Sequence, residues 1–128
     1  MDTIKLLVKE PNKEPYIKEV EHTLENMQAI VGGYIECVEM PGAENIDIYL
    51  NEEGKLERLP GNIWIAGIDD CIVGTCYMVG YDPKTGANIS LTEKQIKTCE
   101  KYCNTFSLPE DSDLYMDYFW LKEIMKLR

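Results

Sequence analysis

The sequence predicts a single α+β domain: a mixed β-sheet of about four to six strands, opening with a β-α-β unit and carrying two further helices packed on it near the C-terminal end. Three observations carry this reading. The first forty residues run strand, turn, amphipathic stripe, Gly-Gly, strand. Ile46, Ile48 and Leu50 alternate with Asp47 and Tyr49, the period of a strand with one buried face. Cys71 to Gly80 is uncharged and rich in β-formers, and two helical patterns follow it.

Ile4 to Val8 is a short apolar strand, and Glu10-Pro11-Asn12-Lys13-Glu14-Pro15 is a turn. Pro15 suits the first turn of a helix. Ile17, Val20, Leu24, Met27 and Val31 then recur at steps of three and four, with Lys18, Glu19, Glu21, His22 and Glu25 on the opposite side. Gly32-Gly33 supplies a left-handed C-cap.

Tyr34 to Val38 and Ile46 to Leu50 read as strands, and Asn51-Glu52-Glu53-Gly54 as an acidic hairpin tip with Gly54 left-handed. Lys55 to Leu59 is expected to return as a short strand. Pro60-Gly61-Asn62 is a break, and Ile63 to Ile65 fits either a strand or a helical turn. Cys71 to Gly80 reads as one long buried strand, with Gly74 at a bulge or a close backbone approach.

Tyr81 to Gly86 is turn chemistry, and Ser90-Leu91-Thr92-Glu93 has capping-box spacing. It precedes a stripe of Ile96, Cys99, Cys103 and Phe106 that Pro109 ends. Asp111-Ser112-Asp113 caps a last helix with Leu114, Tyr118, Leu121 and Met125 along one face. Met116, Phe119, Trp120, Ile124 and Leu127 widen that face. The helix therefore needs cover from the sheet, from a homodimer or from a partner, with Trp120 as a candidate contact.

The 128 residues, 45% hydrophobic, suffice for one core and not for two. No apolar run approaches the roughly 18 to 20 residues that span a bilayer. Met1 to Lys5 lacks a signal-peptide pattern, and the five cysteines suit a reducing compartment, so a soluble cytoplasmic protein without a membrane role is expected. The net charge is −10, and residues 34–60 hold seven acidic side chains against two basic ones. Phosphate binding needs clustered Lys and Arg, so direct nucleic-acid binding is not expected.

The motifs point to no catalytic residues, cofactor or metal. Cys99 and Cys103 share a helix face with chelate spacing, but Cys71 and Cys76, five apart on a strand, face opposite ways. His22 is alone and cannot anchor a triad. The acidic run Glu36, Glu39, Glu44, Asp47, Glu52, Glu53, Glu57 matches no calcium loop, but a surface of one sign steers basic partners. Tyr34, Asn51, Glu52, Glu53, Glu57 and Asn62, with Trp120, are the candidate ligand- or partner-binding residues.

The run Lys9 to Tyr16, Ile30-Val31-Gly32-Gly33-Tyr34-Ile35-Glu36, Asn51 to Leu56, Leu59-Pro60-Gly61-Asn62 and Ile72 to Gly80 resemble the domain of unknown function 3846 family, over roughly residues 4 to 108. Residues 109–128 look like a helical extension of that core. Asn12 stands where a glycine is common in the family. The resemblance implies a small accessory protein of Gram-positive bacteria, their phages or mobile elements, and it carries no activity. The leading expectation is a non-enzymatic protein that binds and modulates or inhibits a host protein with a basic surface, as counter-defence proteins do. The alternative is a module that binds or sequesters a nucleotide-type ligand.

Overall fold

A computed structural model describes residues 2–66 and 70–109. β1 (Thr3–Lys9) and β2 (Tyr16–Glu21) form an antiparallel hairpin, followed by α1 (Leu24–Val31). β3 (Ile35–Glu39) and β4 (Ile46–Asn51) make a second hairpin. β5 (Gly61–Ile65) and β6 (Asp70–Val73) form a separate two-stranded ribbon. β7 (Cys76–Tyr81) returns to the centre of the main sheet, β8 (Asn88–Ile89) pairs with its end, and α2 (Glu93–Phe106) closes the described chain. The six-stranded sheet has the order β2-β1-β7-β4-β3, with β8 on β7.

The side-chain period of two divides the core. Ile4, Leu6, Val8, Tyr77 and Val79 pack with Met27 and Val31 under α1. Leu7, Ile46, Ile48, Cys76 and Met78 point the other way, into Ile63, Ile65, Ile72, Cys99, Tyr102 and Cys103. The sheet is thus covered by α1 on one face and by the β5–β6 ribbon with α2 on the other. Each fully buried Leu or Ile contributes about 1.5–3 kcal/mol by leaving water.

An α+β fold is what the sequence predicts, but the opening is not β-α-β. Tyr16 to Glu21 is a strand whose six residues all pair with β1, from Val8–Tyr16 to Thr3–Glu21. Ile17 is 42% exposed, so the stripe begun at Ile17 is not a core-facing helix surface. The helix begins only after Thr23, which is extended (φ −125°) and accepts from the Asn26 N–H at 3.1 Å. Gly32 is the left-handed C-cap expected, at φ 80°. The sheet is also not mixed, since every strand pair among the described residues is antiparallel.

Asn51 to Gly54 is not a hairpin tip. The β3–β4 hairpin turns at residues 40–45, where Gly42 and Asn45 take positive φ. Lys55 to Leu59 does not return as a strand. It winds through turns, with the Glu57 N–H donating to Glu53 O and Leu59 N–H to Gly54 O, and Arg58 rather than Gly54 is left-handed. The stretch from Cys71 to Gly80 is two strands in two sheets, broken at Gly74 (φ 76°), where a Cβ would come within 2.6 Å of Leu59. The capping box of α2 is Thr92 with Gln95, while Ser90 instead accepts from the Lys5 N–H. The last helix and Trp120 lie outside the described residues.

Candidate functional site

The ribbon does not lie flush on the outer half of the main sheet. Between β6 and the β3–β4 hairpin is a cleft of about 200 Å³. Its floor is Val38, Leu50, Ile65, Ile72 and Val73, and its rim carries Glu36, Glu52, Asp70 and Lys55. Val38 and Leu50 are directed there because they share the sheet face of Ile48. Glu36 follows the same parity, so the strand that floors the cleft also acidifies it. Glu36 and Glu52 are exposed, and Lys55 pairs with Asp70. An apolar floor with a carboxylate rim suits an apolar side chain flanked by cations.

A second, shallower groove of about 370 Å³ brings together Tyr34, Asn51, Glu53 and Glu57, beside Gln28 and Gly33. Tyr34 is 66% exposed. Asn51 is buried and committed to the fold, donating to Val31 O at 3.3 Å and accepting from the Glu53 N–H at 2.8 Å. Among the described residues no cation lines this groove. Glu52 faces the first cleft instead.

Asn62 belongs to neither. It is 1% exposed, and its amide donates to Lys9 O and Gly74 O, both at 2.8 Å, while accepting from Lys9 Nζ at 3.0 Å. Lys9, 2% exposed, also donates to Glu10 O at 2.7 Å. Burial lowers the Lys9 pKa. This knot ties β1, β5 and the Gly74 link between β6 and β7. Sequence reasoning passed over Lys9, whose only signal is a lysine closing an apolar strand.

Four thiols, those of Cys37, Cys76, Cys99 and Cys103, are held protonated at neutral pH. Burial pushes Cys103 up to about 11 and Cys99 to about 12, and raises Cys76 further. The same cause raises Cys37 to about 11. Protonated thiols are weak nucleophiles and weak ligands. Among the described residues no group of three or more His, Cys, Asp or Glu side chains is placed to hold a metal ion.

On the α1 side of the sheet, Tyr49 stacks on Tyr77 at 5.1 Å and donates to Asn88 Oδ1 at 2.9 Å. Asn88 reaches Asp47 at 3.4 Å, and Tyr81 donates to Glu39 at 2.7 Å. These groups satisfy one another across β3, β4, β7 and β8.

The profile of a family described as a domain of unknown function, number 3846, matches residues 4–107. The chain belongs to that family. In this member of the domain of unknown function 3846 family, the match covers every described strand and both described helices except Thr3, the first residue of β1. No curated protein and no solved structure matches the chain. No helix among the described residues is long and apolar enough to cross a membrane.

Proposed function

We propose that this chain is a non-enzymatic accessory protein of a phage or mobile element that acts in the bacterial cytoplasm. It binds a host protein through a basic surface and modulates or inhibits it, a role suited to counter-defence. The observation that carries the reading is the cleft beside β3, whose apolar floor is rimmed by Glu36, Glu52 and the Lys55–Asp70 pair, with Glu36 and Glu52 exposed. Acidic residues are concentrated in the segment that builds it, and a field of one sign speeds encounter with a cationic partner. A nucleotide-binding role is less well supported, because the Tyr34 groove offers Glu53 and Glu57 but no arginine or lysine to a phosphate.

The test is capture from host lysate by the wild-type chain and by Glu36→Lys/Glu52→Lys, beside thermal-shift measurements against nucleotides and divalent metals. The expected outcome is one captured protein, lost on charge reversal in the cleft and retained when Glu53 and Glu57 are reversed. Stabilisation by a nucleotide, with no protein captured, would sink the proposal.

A further inference from the structure

We infer that the partner is held as an added antiparallel strand along β3, through a segment of basic–apolar–any–basic pattern; this rests on the cleft reading above. β3 ends the main sheet, and among the described residues it pairs with β4 alone. The ladder fixes which of its backbone groups face outward. The Glu52 N–H donates to Tyr34 O at 2.9 Å and the Met40 N–H donates to Ile46 O at 3.0 Å. In an antiparallel pair this role alternates along the strand. Residues 34, 36, 38 and 40 therefore point N–H and C=O at β4, and Ile35, Cys37 and Glu39 point theirs away from the sheet.

An edge of that kind is a template for another strand. Its side chains choose the strand. Glu36 and Val38 line the cleft together with the β6 residues Ile72 and Val73. A residue added opposite Val38 projects toward the apolar floor, and one opposite Glu36 meets a carboxylate. Opposite Glu39, on the other face, a second cation is favoured. Read antiparallel, the added segment is Lys or Arg opposite Glu39, an apolar residue opposite Val38, any residue opposite Cys37, and Lys or Arg opposite Glu36. Paired in full with a second copy of itself, Cys37 opposite Cys37, β3 would set Glu36 opposite Val38 and Glu39 opposite Ile35, so self-pairing offers neither glutamate a cation.

The probe is the capped peptide acetyl-Thr-Lys-Val-Thr-Lys-Thr-amide, titrated into the whole chain by calorimetry and by amide hydrogen exchange. The expected result is binding, with exchange at Ile35, Cys37 and Glu39 slowed about tenfold or more at saturation. The already bonded Glu36 and Val38 amides should change less. Cys37→Pro removes an outward N–H without touching a β3–β4 bond and should weaken the peptide about tenfold. A peptide of the same composition with Val moved opposite Glu36 should bind correspondingly weaker.

If Glu36→Lys/Glu52→Lys abolishes binding while the three amides and Cys37→Pro have no effect, the cleft reading stands and the added strand is overturned. If the peptide does not bind at millimolar concentration, or binds equally to all variants, the inference fails. Protection of the same three amides without peptide, rising with protein concentration, would replace the partner strand with a second copy. The exchange readout on the unmodified chain decides the matter even if Cys37→Pro misfolds.

Discussion

Replacing Asn62 by alanine should remove a large part of the stability of this fold. Truncation takes the Asn62 donor from Lys9 O and from Gly74 O and one acceptor from Lys9 Nζ, in a site where Asn62 is 1% and Lys9 2% exposed. Each orphaned buried group costs about 1–3 kcal/mol. Because Lys9 still pairs with Cys76 across β1–β7 and Lys9 Nζ still donates to Glu10 O, the loss is about 2–4 kcal/mol, against total stabilities of about 5–15 kcal/mol for domains of this kind. Urea denaturation followed by far-UV circular dichroism measures it. Burial already lowers the Lys9 pKa. A lowered folded-state pKa means that the unfolded chain binds more protons, so stability rises with pH as Lys9 deprotonates. The Asn62→Ala penalty should therefore shrink as pH climbs into the alkaline range below the ordinary lysine value. In Lys9→Met/Asn62→Leu, where both partners are apolar, the loss should be smaller than the sum of the single losses by about 1–3 kcal/mol. A penalty for Asn62→Ala below about 1 kcal/mol, accompanied by weakened ligand or partner capture, would refute the structural assignment. It would return Asn62 to the binding surface.

Three other outcomes are expected. Gly74→Ala should destabilise by about 2 kcal/mol or more in thermal or urea unfolding, because φ is positive and Leu59 blocks the Cβ; Gly42→Ala, with positive φ but open space, should cost only about 1 kcal/mol. A thiol-reactive disulfide reagent on the native chain should modify Cys37 alone, slowly at neutral pH and faster toward pH 11, with the other four thiols reacting only in denaturant. Burial raises the Asp47 pKa, so its contribution to stability is present at low pH and lost as pH rises through the folded-state value; Asp47→Asn should gain stability relative to wild type between about pH 3 and pH 7 in denaturant titrations.

What was legible in the sequence was local. Gly32 ends α1 because a left-handed cap needs no tertiary help, and Ile46 and Ile48 declare a buried face by alternation alone. Gly74 marked a close approach, although which side chain approaches could not be read from a strand pattern. β2 was misread because Ile17 and Val20, three apart, satisfy a helical stripe as well as they decorate an edge strand. What decides between the two is the row of outer backbone groups of β1, which needs a partner, and that is a tertiary demand. The acidic segment was legible as charge but not as shape. Glu36 and Asp70 become neighbours across a cleft only because Gly74 turns the chain from the ribbon into the central strand. Lys9 was invisible for the same reason, since its acceptor Asn62 arrives from another sheet.

The two sheet edges explain why the acidity matters where it does. β2 carries Lys18 beside Glu19 and Glu21, with Tyr16 and Ile17 half-exposed, and it contributes no wall to the cleft. Mixed charge of that sort is a sufficient guard for an edge with nothing beside it. β3 carries glutamates and no cation, next to a cleft in which Val38 and Leu50 of the β3–β4 hairpin stay partly exposed beside the ribbon. Folding alone does not ask for this, because like charges along a strand and its flanking turn repel, and neutral polar residues would keep the edge soluble at less cost. The carboxylates disfavour a second acidic strand, and among the described residues nothing pairs with the outward backbone groups of Ile35, Cys37 and Glu39. An edge guarded against its own kind and unguarded against the opposite charge is selective, and that selectivity is the strongest physical argument for a cationic partner at β3.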